Sequence, residues 1–246
     1  MASVKNCRLG SFTATGFEDQ QTGNPYFEGK VTGSSNRVEP IVTGISGFTK
    51  AHTGKYVCKL GSGSPEVAFS TDPEVAGGVL EAGRTYVTSV WVYNASYSGA
   101  PGLSVALNGS LDGGSTAYDN EWSRDITDQD NLTVGDWTLV EIEFEVPSTY
   151  TAANPSGTGA SGAYNELKIK LVGGTGNVYF DDFRFHPVDV PLEVSIQDEI
   201  TGRKTHVLDA NNMYTEMIYD AAGRVTRTNR ESVYGVFKQQ ETTYNH

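Results

Sequence analysis

The chain is poor in the residues that staple a fold, span a bilayer or hold polyanions. Its 246 residues include 2 cysteines and 3 methionines. Two cysteines cannot make a disulfide framework, and no CxxC or HExxH spacing marks a zinc site. Apolar runs are only a few residues long, which excludes a membrane-spanning helix. Lys and Arg number 18 against 30 Asp and Glu, a formal net charge of −12. That is the wrong sign for non-specific binding to nucleic acid or to an anionic membrane. The opening MASVKNCRLG has no apolar core of a secretory signal, so localisation is not legible there. Helical periodicity is almost missing. What remains is a globular composition, 37% hydrophobic with 28 glycines, enough apolar material for a sizeable core.

Two-residue periodicity dominates instead. In RTYVTSVWVYN (84–94), Tyr86, Thr88, Val90 and Val92 share one face, and Val87, Ser89, Trp91 and Tyr93 the other. TLVEIEFEV (138–146) sets Val140, Ile142, Phe144 and Val146 against Leu139, Glu141, Glu143 and Glu145. ELKIKLV (166–172), GLSVALNG (102–109), GKYVCKLG (54–61) and NVYFDDFRF (177–185) complete the set, with weaker strands at 36–45 and 66–70. One wet face per strand is the mark of antiparallel sheets. The stretches between, including LDGGSTAYDNEWSRDITDQDNLTVGD, read as loops. Short strands with long polar connections predict an all-β fold, a jelly-roll β-sandwich over residues 1–188.

The Pro-punctuated HPVDVPLE (186–193) reads as a boundary, and residues 189–246 form the second unit. Two similar stretches follow it, QDEITGRKTHVLDANN (197–212) and YDAAGRVTRTNRE (219–231). Each opens on Asp, turns at Gly-Arg and continues in a β-prone run, which is hairpin chemistry. From 190 onward there are 8 acidic and 6 basic residues, so most of the negative charge belongs to the sandwich.

The segments GFED (16–19), AHTGKYVCKL (51–60), AGRTYVTSVWVY (82–93), DWTLVEIEFEVP (136–147) and NVYFDDFRF (177–185), in that order, resemble the jelly-roll carbohydrate-binding modules that accompany bacterial xylanases and glucanases. The motif Tyr219-Asp220-Ala221-Ala222-Gly223-Arg224-Val225, with a degenerate copy from Asp198 to Arg203, resembles a YD repeat of the Rhs type. Together they are similar to the C-terminal part of large secreted surface proteins of Bacteroidota. The resemblance implies an extracellular or cell-surface protein. About two repeats are too few to enclose a toxin.

The jelly-roll resemblance also implies a structural calcium, held by Glu18, by main-chain carbonyls around Thr53 to Lys55, and by Asp181 or Asp182. Calcium takes six to eight hard oxygens, and such a site would tie down both ends of the sandwich. The alternative is that Asp181 and Asp182 cap a strand and Glu18 is a surface carboxylate. Cys7 and Cys58 either pair, if the N-terminal strand lies beside 54–61, or stay separate buried thiols. Within the acidic stretch from Asp119 to Asp136, DITDQDN lacks the turn Gly and closing Glu of an EF-hand, and the stretch reads as a solvated loop.

Pyranose rings stack on exposed aromatic planes. With Tyr86, Val90 and Val92 facing the core, Trp91 and Tyr93 stand on the open face of their sheet, with Glu141 and Glu143 nearby. Trp122, Tyr118 and Tyr97 lie in loops that rim it. Two surface rings on one strand mark a contact, with a ligand or with the tail or a loop packed over them. Trp137 reads as a packing residue. Four scattered histidines form no triad or metal motif, and Glu141 with Glu143 share one face of one strand, unlike a carboxylate pair flanking a scissile bond. The sequence therefore predicts a module without catalytic activity. Its partner is a polysaccharide or cell-surface glycan or, alternatively, a surface or secretion protein docked on the strand edges of 190–246.

Overall fold

The computed structural model describes residues 13–15, 17, 37–40, 51–61, 66–71, 80–81, 83–94, 99–107, 120–148, 167–198 and 200–244. Its strands run β1 (Thr13–Thr15), β2 (Arg37–Pro40), β3 (Tyr56–Leu60), β4 (Glu66–Thr71), β5 (Thr85–Tyr93) and β6 (Gly102–Leu107). They continue as β7 (Asn120–Asp125), β8 (Leu132–Val134), β9 (Trp137–Glu145), β10 (Leu167–Val172) and β11 (Val178–Pro187). The last five are β12 (Val194–Gln197), β13 (Lys204–Leu208), β14 (Tyr214–Tyr219), β15 (Val225–Ser232) and β16 (Gly235–Glu241). Among the described residues there is no helix.

Two antiparallel sheets make the jelly-roll sandwich. One has the order β2-β3-β11-β5-β9-β8, with β1 also pairing β11; the other has the order β4-β10-β6-β7. The alternation seen in the sequence fills the space between them. Tyr86, Val90 and Val92 of β5 and Val140, Ile142 and Phe144 of β9 meet Leu103 and Val105 of β6 and Ile169 and Leu171 of β10. On the far side of β9, Glu141, Glu143 and Glu145 are exposed.

Strands β7 and β8 lie in a stretch read from sequence as loop. Among the described residues β7 is an edge strand paired only to β6, and its sequence NEWSRD contributes one ring to the interior. Half-buried Trp122 packs on Phe144 at 5.0 Å. Its expected place on a loop rim is thus corrected: opposite Val105 in register, it points inward. An edge strand with one inward apolar residue leaves no periodic signal. The acidic residues that follow make a turn, as expected: Asp125 accepts the Thr127 N–H at 2.7 Å, and Asp128 accepts the Asp125 N–H at 2.9 Å. Cys58 is a buried free thiol pushed up to about 12, by burial first and by the charge of Asp181 second. Its strand has β2 and β11 as neighbours, whereas β1 pairs β11; Cys7 lies outside the described residues.

Residues 194–241 form a separate antiparallel meander, β12-β13-β14-β15-β16. Three successive turns open on Asp198, Asp209 and Asp220, every eleventh residue. In each, the Asp N–H donates across the turn, to the carbonyls of Arg203, Met213 and Arg224, at 2.8, 2.9 and 2.9 Å. Each Asp carbonyl accepts from a left-handed residue: Gly202 (φ 66°), Asn212 (φ 61°) and Gly223 (φ 83°). Glycine and asparagine are the residues that enter this region at least cost. The sequence repeat misses the middle turn because Asn212 stands where its neighbours have Gly. The apolar cluster of this sheet holds only Leu192, Val194, Ile196, Leu208 and Tyr214, a thin core for five strands.

Candidate functional site

The outer face of β5 is where the sequence expectation fails. Trp91 and Tyr93 do share a face opposite the core, but Trp91 is 0% exposed and Tyr93 3%. They sit in a second apolar cluster with Ala51, Val57, Val134, Trp137, Leu139, Tyr179 and Met213. Met213 belongs to the C-terminal meander, so the meander takes part in covering the face. The open aromatic platform is therefore corrected to a buried junction. The cause is the thin core of the meander, which gains apolar contact by packing on the rings. Trp137 is packed here, as expected.

His52 is the hub of this junction. Its ring stacks on Trp91 with centroids 4.2 Å apart and meets Trp137 and Tyr214 edge-on at 5.8 and 5.2 Å. Nδ1 lies 2.6 Å from Asp182 Oδ2 on the sandwich side. Nε2 lies 3.0 Å from each carboxylate oxygen of Glu231, on β15 of the meander. The side chains of all three are at most 2% exposed. Burial alone would lower the His52 pKa, but hydrogen bonds to Asp182 and Glu231, with their charges, together raise it above its ordinary value. Both ring nitrogens then donate, and an imidazolium bridges two carboxylates from different sheets.

Backbone geometry sets this up. Between Asp181 and Arg184 the β11–β5 register shifts, and Asp182 sits at φ 48°. The bulge adds one residue and re-aims a side chain. Asp182 also accepts the Thr53 hydroxyl, at 2.8 and 2.9 Å. Across the junction, Asn212 donates its Nδ2 to the Asp182 carbonyl at 2.9 Å, and its own carbonyl accepts the Trp91 indole N–H at 2.9 Å. Buried Arg184 donates to the carbonyls of Leu192, at 3.4 Å, and Asp209. Desolvation, only partly offset by Asp182, Asp209 and Glu141, lowers its pKa to about 10.

Thr53, His52 and Asp182 are residue types found in nucleophile–base–acid triads, but the connections differ. The Thr53 hydroxyl donates to Asp182, not to His52. Both imidazole nitrogens face carboxylates, which leaves neither as a base for a nucleophile. Sealed from solvent, the group is a clamp.

Of the expected calcium ligands, the two described carboxylates accept hydrogen bonds within the protein. Asp181 accepts the Thr53 N–H at 3.1 Å and the Asp182 N–H at 2.8 Å, while Asp182 serves His52 and Thr53. The Lys55 side chain reaches Asp198 of the meander at 3.0 Å. Among the described residues no three His, Cys, Asp or Glu side chains group to hold a metal. Glu18, Tyr97 and Tyr118 lie outside the described residues. Glu141 and Glu143 are exposed side chains, and partial desolvation at the sheet surface first, with the charge of Glu143 second, raises the Glu141 pKa.

His52, Asn212, Glu231 and Arg184 are the residues that sequence reasoning missed. One signal was present: Trp91 and Tyr93 side by side on a strand needed a cover.

No protein-family model matches the chain, and no curated protein matches it. Solved structures similar to it include the tandem CBM22-1–CBM22-2 domain of Paenibacillus barcinonensis Xyn10C, at 16% identity and TM-score 0.40, covering 92% of this chain and 62% of that one. The C-terminal family 22 carbohydrate-binding module of Clostridium thermocellum Xyn10B is 13% identical with TM-score 0.40, covering 74% and 96%. The K1 cleaved adhesin domain of Lys-gingipain from Porphyromonas gingivalis W83 is 13% identical with TM-score 0.37, covering 72% and 98%. At such identities and scores the likeness carries no ligand over to this chain.

Proposed function

We propose that the protein is a non-catalytic binding module of an extracellular or cell-surface protein, in which the jelly roll is a rigid base that holds the C-terminal meander for a protein partner. The observation that carries this reading is the clamp: the ring-bearing face of the sandwich is spent on the meander through Trp91, His52, Asp182 and Glu231. A partner is left the outer edges of the meander, along β12 and β16, each of which pairs a single strand among the described residues. The test is cooperativity. Trp fluorescence, reporting the sandwich, and amide exchange over 194–241, reporting the meander, give one coincident unfolding transition. Two independent transitions in the wild type reject the rigid base.

Glycan binding is the second reading. The feature of this chain that favours it is the pair of exposed carboxylates Glu141 and Glu143, able to accept sugar hydroxyls. Titration with soluble xylan and a glycan array test it, with binding lost in Glu141→Ala/Glu143→Ala. No saturable binding by any arrayed glycan ends it.

A further inference from the structure

The seam between sandwich and meander buries polar atoms that no protein group satisfies. Arg184 is 1% exposed, and its Nη1 is spent on the carbonyls of Leu192 and Asp209. Its Nε and Nη2 are sealed as well, and neither meets an acceptor among the described residues. Asn212, also 1% exposed, donates its Nδ2 to the Asp182 carbonyl and, at 3.4 Å, to the Ser89 hydroxyl. Among the described residues its Oδ1 accepts nothing. Buried groups left unmet cost more than an ordinary hydrogen bond returns.

The three atoms are gathered around one carbonyl. Arg184 Nη1 and the Asn212 backbone N–H share an acceptor, the oxygen of Asp209. Ser89, which Asn212 reaches, is the register partner of Arg184 on β5. Nε and Nη2 lie on one edge of the planar guanidinium, where a single oxygen can take a hydrogen from each. Charge narrows what that oxygen belongs to. The carboxylates of Asp182, Asp209 and Glu141 act on Arg184, so they repel an anion, and the guanidinium repels a cation. An apolar occupant leaves all three atoms unmet. The fit is to a small neutral molecule that accepts two hydrogen bonds and donates two.

We infer that Arg184, Asn212 and Ser89 hold a buried water molecule that joins the sandwich to the meander. It accepts from Arg184 Nε and Nη2 and donates to Asn212 Oδ1 and to the Ser89 hydroxyl oxygen, the upper end of what a buried water makes. The site accounts for the exception among the three Asp-opened turns. Gly202 and Gly223 meet the left-handed requirement with no side chain, whereas Asn212, at φ 61°, also supplies the amide that the water and Asp182 need. The inference concerns the seam alone and holds whatever the meander binds.

The experiment is a high-resolution crystal structure of the full chain grown in sodium bromide. An oxygen-sized peak about 2.7–3.2 Å from Nε, Nη2 and Oδ1, with no bromine anomalous signal, is expected. A bromide at that position overturns the neutral ligand. No peak, or a direct bond from Nε or Nη2 to a protein acceptor such as Glu141, overturns the site. In solution, the wild type shows a water NOE to the Arg184 Nε–H, and Asn212→Gly, which keeps the φ of the turn, loses it. A cross-peak of undiminished intensity in the variant overturns the role given to Asn212, and its absence from the wild type overturns the water. The crystal and the wild-type spectrum need no variant, so a folding defect cannot imitate either result.

Discussion

Replacing Glu231 by Gln removes one of the two carboxylates facing His52 while keeping the volume. Both are buried with their partners, Glu231 Oε1 standing 3.0 Å from Nε2. Removing one partner of a buried charged pair costs about 3–5 kcal/mol. His52 keeps Asp182 at 2.6 Å, so the lower end applies, about 3 kcal/mol. For a chain of this size each kcal/mol moves Tm by about 2–4 °C, which gives a fall of roughly 6–12 °C. Urea unfolding followed by Trp fluorescence gives the free energy, and Trp91 emission shifts red as its cover loosens. The decisive measurement is the cycle with His52→Gln, where residues in one hydrogen-bonded network couple by about 0.5–3 kcal/mol. Additive losses, or a fall in Tm of under about 2 °C, refute the clamp.

Three further outcomes are expected. The raised His52 pKa means that its contribution is complete below the unfolded value of 6.5 and is lost as pH rises through the higher folded value; Tm falls from pH 6 toward alkaline pH, with a shallower fall in His52→Gln, and parallel profiles for the two proteins contradict this. Gly223→Ala destabilises more than Gly202→Ala, because both have positive φ but only Gly223 is pressed by Arg203; the comparison is read from paired thermal melts, and equal losses contradict the packing at Arg203. Chelation with EDTA decides the calcium that the jelly-roll resemblance implies: a fall in Tm reversed by calcium supports a metal at Glu18 and Asp181, and an unchanged Tm leaves Asp181 and Asp182 as hydrogen-bond acceptors alone.

The sandwich was legible because its buried strands alternate over many residues, as β5 and β9 do. β7 was not, since an edge strand with one inward ring has no period to detect. The hairpins following 190 were legible from Asp and Gly-Arg, and the middle turn was hidden by Asn212. Sequence also assigned Trp91 and Tyr93 correctly to one face. What covers that face depends on contacts between His52 and Glu231, 179 positions apart, and on a bulge at Asp182 that re-aims a carboxylate. Local pattern carries neither.

The buried junction bears on how this molecule should be cut. A fragment ending at residue 188 would keep every strand of the sandwich yet lose Asn212, Met213 and Glu231 from above Trp91, Tyr93 and Trp137. Trp91 would keep His52 stacked on it, but the indole N–H would lose the Asn212 carbonyl and the cluster would lose Met213, so part of this apolar face would meet water. An apolar face bared by truncation is a ready non-specific contact, so affinity measured on the shortened piece would belong to the scissors and not to the protein.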